Sequence, residues 1–312
     1  MIEILMATYN GAAYLEEQLK SIENQTFTGW HLTVHDDGSS DGTWSILQKF
    51  QVHMGPDRVE LKKNEPPTGS AKKNFMSLIQ TCEADYVMCC DQDDVWHGDK
   101  VERSFHRMVQ MEKRYGKDQP LLVYTDLRVV DGNLAEINPG FHKYMNLRTD
   151  SCLSRELIQN QVTGCTMLFN RQLRNYMTEA KEMGHILMHD HFAALIALVF
   201  GHMSYLNQPT IDYRQHGDNS VGAQDAGSLA YRWQRLCRGR KKFRQDMVDS
   251  TAQTAYFCHI YTSCINDDIM LKLLNMYAEL YNKNKLLRVF AFFRYGFWKK
   301  GLLRKVMQVI WG

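Results

Sequence analysis

Three aspartates follow one short apolar segment of this sequence. Residues 86–90 are apolar and lead directly into Asp91-Gln92-Asp93-Asp94. Carboxylates that lie so close together repel one another unless a cation lies among them. Hard oxygen ligands favour Mg²⁺ or Mn²⁺, which bind one or two protein carboxylates together with substrate phosphates. The pattern therefore indicates a divalent-metal site, and the alternative is a solvated acidic loop before the next helix.

Two residues farther along the chain suit the same kind of site. His216 belongs to the run Tyr-Arg-Gln-His-Gly at 213–217, which follows another predicted strand, and its neutral imidazole is a candidate third metal ligand. The planar guanidinium of Arg214 is a candidate phosphate ligand. An isolated surface histidine is the alternative, and the acidic cluster is what favours the metal site.

A further carboxylate stands at the start of an apolar helix. Asp190 lies between His189 and His191 and precedes the apolar residues 192–200. Aspartate is a favoured helix N-cap. A carboxylate between two histidines also suits a general base, and the two roles are compatible.

Asp36 and Asp37 lie in a turn rich in glycine and serine. A carboxylate there can accept a hydrogen bond from the N–H of a pyrimidine base or from a ribose hydroxyl, or the turn can simply connect a strand to a helix. No G-x-G-x-x-G motif or P-loop occurs in the sequence, which argues against a dinucleotide or nucleoside triphosphate site.

Strand and helix signals alternate through the first 115 residues, and the β-rich runs end at these polar segments. Such alternation predicts right-handed βαβ units and a mostly parallel sheet flanked by helices. The carboxyl ends of parallel strands meet at one edge, where ligands bind in open α/β sheets, so we expect the polar segments to converge there. Strands are predicted at residues 2–8, 30–35, 58–61, 86–90, 121–125 and 165–169, and helices at 12–25, 70–82, 98–114 and 190–200.

The composition is that of a globular protein of 312 residues, of which 44% are hydrophobic and 23% charged. The eight cysteines form no C-x-x-C pair, so we expect reduced core thiols rather than a zinc ribbon or a disulfide framework. The first residues lack a basic segment followed by an apolar one, and we expect a cytoplasmic protein.

Charge is distributed unevenly along the chain. Residues 1–222 contain 21 Lys+Arg and 29 Asp+Glu, whereas residues 223–312 contain 16 and 6. The last 27 residues mix six Lys+Arg with aromatic and aliphatic side chains, and their apolar runs are too short to span a bilayer. This composition favours an interfacial position on the anionic inner face of the plasma membrane. Packing on the catalytic domain or a homo-oligomer contact are the alternatives, and no nucleic-acid-binding motif accompanies the basic residues.

Taken together and in this order, the motifs resemble those of family 2 glycosyltransferases with the GT-A fold, over residues 2–222. Their particular form is similar to the bacterial rhamnosyltransferase branch, whose members build cell-wall, capsule or lipopolysaccharide glycans. The residues that carry the resemblance are Ala7-Thr8-Tyr9-Asn10-Gly11, residues 36–43, Gly69 with Asn74-Phe75, residues 90–96 ending in Asp-Val-Trp, His189-Asp190, and residues 213–217 with Asn219.

The resemblance implies a role for each candidate residue. Asp190 would be the base that deprotonates the acceptor hydroxyl. The metal ligands would be Asp93 or Asp94 together with His216, and Asp91 would face the ribose or the metal. The nucleotide-sugar donor would be bound by Thr8, Tyr9, Asn10, Asp36, Asp37, Asn74, Asp91, Gln92 and Arg214.

The resemblance also implies a GT-A catalytic domain at 1–222 and a basic, helical C-terminal extension at 223–312. The expected reaction inverts the anomeric centre without a covalent intermediate, with Mg²⁺ or Mn²⁺ as cofactor. dTDP-L-rhamnose is the leading donor and UDP-sugars are the alternative, with a glycan or a polyprenyl-linked molecule as acceptor. A nucleotide-sugar-binding protein without catalysis and a membrane-tethering protein are the other function classes.

Overall fold

The computed structural model describes residues 1–216 and 229–311. The predicted boundary between residues 222 and 223 and the motif residues Gly217 and Asn219 lie outside the described residues. Within these ranges the strands are β1 (Ile2–Thr8), β2 (Trp30–Asp36), β3 (Val59–Lys63), β4 (Tyr86–Cys90), β5 (Val95–Trp96), β6 (Leu121–Val130), β7 (Glu136–Asn138), β8 (Met167–Asn170) and β9 (His202–Arg214). The α-helices are α1 (Leu15–Glu23), α2 (Thr43–Met54), α3 (Ala71–Thr81), α4 (Lys100–Tyr115), α5 (Phe141–Tyr144), α6 (Leu153–Glu156), α7 (Arg171–Thr178), α8 (His189–Phe200), α9 (Leu229–Tyr261), α10 (Asp268–Ala278), α11 (Lys285–Tyr295) and α12 (Leu302–Trp311).

The described strands form one mixed sheet in the order β3-β2-β1-β4-β8-β6-β9-β5, with β7 paired to β6. The first four strands of that order are parallel, and helices connect them, as the alternating pattern predicts. β8 is antiparallel to both of its neighbours, β6 and β9 are parallel, and β5 is antiparallel to β9. The predicted α/β architecture is confirmed, with antiparallel pairings in the second half of the sheet.

Strand register brings the polar segments to one edge of the sheet. Thr8 pairs with Asp36, and Met6 pairs with Cys90, so Asp91 begins beside the end of β1. The short strand β5 pairs with β9 through Val95 and Asp212, which places the residues just before β5 beside the end of β9. The predicted convergence at the carboxyl ends of the strands is therefore present.

The predicted helical C-terminal part is confirmed, and it packs on the rest of the chain. The rings of Phe192 in α8 and Phe257 in α9 are 5.8 Å apart, and those of Phe200 and Tyr261 are 5.4 Å apart. The loop between α11 and α12 contacts a segment just before residue 160. There the backbone N–H of Lys300 donates to Oε1 of Gln159 (3.1 Å). Its Nζ donates to the backbone carbonyl of Leu147, earlier in the chain. Among the described residues, no helix combines the length and apolarity needed to cross a bilayer.

Candidate active site

The two aspartates after β2 are held by hydrogen bonds from neighbouring loops. Asp36 is wholly buried and accepts from the hydroxyls of Thr8 (2.9 Å) and Ser39 (2.5 Å). Asp37 accepts from the backbone N–H groups of Thr68 and Gly69, among others. Burial alone would raise the pKa of Asp37, but its hydrogen-bond donors outweigh burial and leave the pKa below its ordinary value. The carboxylate of Asp37 is therefore ionised, and the hydrogen bonds of both side chains fix the loops at this end of the sheet.

Asn74 belongs to the same network rather than to an open surface. Its side-chain nitrogen donates to the carbonyl of His35 (2.9 Å), and its oxygen accepts from Asn64, which also donates to Asp37 (3.0 Å). Asn74 is buried. The structure thus places this predicted donor-binding residue beneath the carboxylate of Asp37.

Tyr9 and Asn10 form the exposed part of this edge. The side-chain amide of Gln92 makes two hydrogen bonds to the backbone of Tyr9, both of 2.9 Å, and so joins the loop after β1 to the acidic segment after β4. A Cβ atom on Gly11 would lie 2.3 Å from Oε1 of Gln92, so this contact requires glycine. Asn10 has a positive φ of 47° and accepts from the backbone of Ser40.

Asp91 and Asp94 lie together around a thiol that sequence analysis did not assign to the site. One ligand atom from each of Asp91, Asp94 and Cys165 can be chosen so that all lie within 4.8 Å of one another. Burial raises the pKa of both carboxyls, and the charge of Asp93 raises them further. Hydrogen bonds from Cys165 act in the opposite direction. Because burial also raises the pKa of Cys165 well above its ordinary value, this side chain is a neutral S–H donor to the carboxylates.

Asp93 lies in the more open part of the cluster. Its Oδ2 is 2.7 Å from Nε2 of His216, and the two side chains are 17% and 13% exposed, whereas Asp94 is completely buried. Asp94 accepts from the backbone N–H of Arg214 (3.3 Å). Asp93 and His216 therefore lie together, as the sequence predicted, and Asp94 lies deeper in the protein.

The side chain of Arg214 is buried next to Asp93 and bonds to its backbone. Its Nε donates to the carbonyl of Asp93 (2.9 Å), one terminal nitrogen donates to the carbonyl of Gly132 (2.6 Å), and the other contacts Glu17. Its guanidinium carbon lies 4.6 Å from the ring centre of Tyr14, and the side chain is almost wholly buried. These contacts position the backbone at Asp93, and the phosphate-binding role inferred from sequence stays a prediction.

Lys100 is a buried cation close to the acidic cluster. Nζ of Lys100 makes no hydrogen bond within the described part of the chain and lies 4.6 Å from the ring centre of Trp96. Burial lowers its pKa to about 8, while Cys165, Cys90 and Asp94 act in the opposite direction. Lys100 and Asp94 are both completely buried, and the charge of Asp94 favours the charged form of the lysine.

Hydrogen bonds fix the carboxylate of Asp190, and two of them come from the segment that precedes β8. Its Oδ1 accepts from Nδ2 of Asn160 (2.9 Å) and from the backbone N–H of His191 (2.5 Å), and the backbone N–H of Gly164 donates as well. Oδ1 of Asn160 accepts from the N–H of Val162 (2.9 Å), which fixes the amide so that its nitrogen faces Asp190. Burial raises the pKa of Asp190 to about 6, and these donors moderate the increase.

His189 lies beside Asp190, and the sequence analysis gave it no role of its own. Its ring stacks on Phe75 with centres 4.4 Å apart, and neither ring nitrogen has a hydrogen-bond partner among the residues described. Burial lowers its pKa to about 3, so the ring is neutral. A Cβ on Gly164 would lie 2.6 Å from its Nε2, so glycine is needed for the close approach.

The residues present fit a divalent cation. Burial and the charge of Asp93 raise the pKa of Asp91, and a cation held by both carboxylates would favour their ionised forms. Asp93 and His216 add an oxygen and a nitrogen donor at the accessible side. This donor set, dominated by carboxylates, is the chemistry that Mg²⁺ and Mn²⁺ prefer.

Known proteins share both the sequence and the fold of this chain. The family model described as Glycosyl transferase family 2 matches residues 3–152. The dTDP-rhamnosyl transferase RfbG of Shigella flexneri is 28% identical over 253 residues, which cover 78% of this chain and 82% of RfbG. The UDP-Glc:alpha-D-GlcNAc-diphosphoundecaprenol beta-1,3-glucosyltransferase WfgD of Escherichia coli is 26% identical over 43% of this chain and 48% of its own length.

Two solved structures show the same architecture. S. aureus TarS 1-349 in complex with UDP-GlcNAc superposes with a TM-score of 0.57 and 16% identity, covering 93% of this chain and 73% of TarS. The mannosyltransferase PcManGT from Pyrobaculum calidifontis, solved with GDP-Man and Mn²⁺, gives a TM-score of 0.54 and 17% identity over 92% of this chain and 71% of its own.

The chain has the GT-A fold, and carboxylates follow two of its parallel strands, β2 and β4. Over residues 3–152 it matches the family 2 glycosyltransferases, and its similarity to RfbG extends over most of the chain.

Proposed function

We propose that this glycosyltransferase is an inverting, metal-dependent enzyme. It transfers a sugar from a nucleotide diphosphate donor to a hydroxyl group of a cell-surface glycan or of a lipid-linked acceptor. The leading donor is dTDP-L-rhamnose, because RfbG, described as a dTDP-rhamnosyl transferase, resembles this chain over most of both lengths. A UDP-sugar is the alternative donor, favoured by the resemblance to WfgD.

One observation carries the proposed chemistry. Gly164, whose backbone N–H donates to Asp190, adjoins Cys165, whose thiol lies within 4.8 Å of carboxylate oxygens of Asp91 and Asp94, so the proposed base lies beside the acidic cluster. A sugar whose diphosphate lies at Asp91 and Asp93 would then present its anomeric carbon toward an acceptor hydroxyl at Asp190. That arrangement suits direct displacement, because the base and the leaving group act on opposite sides of one carbon.

Each residue of the site has a separate role in the proposed mechanism. Asp91, Asp93 and His216 would hold the cation, which when bound neutralises the negative charge that grows on the departing diphosphate. Asp190 takes the proton from the acceptor oxygen, and Asn160 keeps its carboxylate oriented. Burial raises the pKa values of Cys89, Cys90 and Cys165, so the thiols near the site are neutral and poor nucleophiles. This supports a mechanism without a covalent intermediate.

The proposed function predicts a donor-specific response of the purified protein. We expect dTDP-L-rhamnose with Mn²⁺ to raise the melting temperature and to be hydrolysed slowly to free dTDP. The measurement is a thermal-shift and turnover screen of dTDP-, UDP- and GDP-sugars with and without Mn²⁺. Stabilisation without any nucleotide release, even with candidate acceptors, would favour a binding protein. No response to any nucleotide sugar would contradict the proposal.

The contact between Gly11 and Gln92 gives a second prediction. Gly11→Ala places a methyl group on Oε1 of Gln92, so the amide must leave Tyr9 and lose two hydrogen bonds. With a net contribution of about 1 kcal/mol for each of the two bonds, we expect donor affinity to fall by up to about thirtyfold. Titration calorimetry with the donor measures the change.

Gly42→Ala is the matched control, because its Cβ would lie 3.6 Å from Cβ of Ala12, an ordinary contact. Equal donor affinities of the Gly11→Ala and wild-type proteins would show that Gln92 does not shape the donor site.

A further inference from the structure

The last two helices each expose a continuous apolar stripe. In α11 it consists of Leu286, Phe290 and Phe293, and in α12 of Leu302, Val306 and Ile310. These six side chains, which we call the apolar hairpin face, are between 46% and 84% exposed. Their spacing of three or four residues puts each set on one side of its helix.

The opposite sides of both helices are already occupied. Ala291, Phe292 and Met307 are buried, and the ring of Trp311 lies 6.1 Å from that of Phe243 in α9. Nζ of Lys285 donates to the carbonyl of Ile310 (2.8 Å), which joins the start of α11 to the end of α12. The two helices therefore form an antiparallel hairpin whose inner side packs on the protein.

The charges around this face are mostly positive. Residues 280–312 contain eight Lys+Arg and no Asp or Glu, and two of these cations, Lys283 and Lys299, pair with Glu279 and Asp246 outside the segment. Lys285 and Arg294 are exposed beside the stripes, and Lys305 lies 5.9 Å from the ring centre of Trp298. Apolar side chains bordered by cations and aromatic rings match the boundary between anionic headgroups and acyl chains.

From these observations we propose that the apolar hairpin face docks on a bilayer surface that contains anionic lipids. A second copy of the chain fits less well, because a two-fold contact would bring the same set of cations against itself without any acidic partner. Docking is independent of the donor and of the reaction. Its failure would leave the proposed function intact.

Vesicle flotation of the full chain tests the proposal. We expect the wild-type protein to float with vesicles rich in phosphatidylglycerol, and to remain unbound with phosphatidylcholine alone or at high salt. The variant Phe290→Glu/Phe293→Glu should lose at least nine-tenths of the bound fraction, about a tenfold change, because two carboxylates then enter the apolar contact. Wild-type protein that does not float with anionic vesicles would overturn the proposal.

Two further variants separate docking from a general effect of substitution. Val52 in α2 and Ile269 in α10 are equally exposed but lie outside the hairpin, so Val52→Glu/Ile269→Glu should float like the wild type. If Phe290→Glu/Phe293→Glu fails to fold, Arg294→Gln/Lys305→Gln tests the charges and should weaken flotation on anionic vesicles. Equal flotation of that pair and the wild type would contradict the proposal.

Light scattering after gel filtration tests the alternative occupant. If the wild type is a dimer that Phe290→Glu/Phe293→Glu converts to a monomer, and neither protein floats, the face is a contact between copies and the proposal is wrong. A wild-type monomer that floats supports it.

Discussion

Replacing Asp190 by asparagine is expected to lower the rate of sugar transfer about a thousandfold, since a positioned general base contributes roughly 10²–10⁴ to a rate. Asparagine keeps the shape of the side chain but cannot accept the proton of the acceptor hydroxyl. In the proposed arrangement Asp190 contacts the acceptor hydroxyl and holds neither the nucleotide nor the cation, so the dissociation constant of the donor should stay unchanged. Single-turnover transfer and donor titration measure the two quantities.

The pH dependence of transfer follows from the burial of the same carboxyl. Because burial raises the pKa of Asp190 to about 6, the base is protonated and inactive below that pH and ionised above it. We therefore expect kcat of the wild type to fall as the pH drops through about 6. Asn160→Ala removes a donor that stabilises the ionised form, so its acid limb should move to higher pH.

Asp85→Asn is the matched control for the Asp190 variant. Asp85 is an exposed carboxylate paired with Arg171 and lies outside the site, so its loss should leave transfer unaffected. Full transfer by Asp190→Asn, or a parallel loss of donor binding, would assign the base to another residue.

Replacing Asp93 by alanine is expected to remove the metal-dependent part of donor binding and to lower transfer at least a hundredfold. The expectation rests on two facts: Asp93 is the accessible carboxylate of the cluster, and it contacts His216 at 2.7 Å. Loss of one electrostatic contact to developing charge costs a factor of roughly 10²–10³ in rate. Titration of the donor with Mn²⁺ and with EDTA gives the metal-dependent affinity without any need for turnover.

Asp94→Asn provides the comparison for Asp93→Ala. Asp94 is completely buried between the backbone of Arg214 and the thiol of Cys165, so its substitution should chiefly lower the melting temperature. If Asp93→Ala retains the Mn²⁺ effect on donor affinity and Asp94→Asn loses it, the roles of the two carboxylates are reversed.

The convergence of the site was predictable because it depends on local pattern and one topological rule. The apolar run at 86–90 forms β4 with the predicted bounds, and the polar residues after β1, β2 and β4 meet since parallel strands share one edge. The helix that begins near Asp190 was equally clear from its apolar sequence.

The contacts that complete the site were not predictable from one sequence. Cys165 and Asn160 reach the carboxylates because β8 inserts antiparallel between β4 and β6, a pairing that no local pattern specifies. The sequence predicted that Gln92 and Arg214 bind the donor, with Arg214 as a candidate phosphate ligand. It could not show that their hydrogen bonds go to the backbone of Tyr9 and Asp93.

The hydrogen bond between Lys300 and Gln159 has a consequence for the modularity of this enzyme. Gln159 adjoins Asn160, which bonds to the proposed base Asp190, so the C-terminal hairpin and that carboxylate are held by one short piece of backbone. The family match ends at residue 152, before that piece begins. A chimera that joined the matched segment to another protein's C-terminal half would therefore replace the hairpin, Asn160 and Asp190 together.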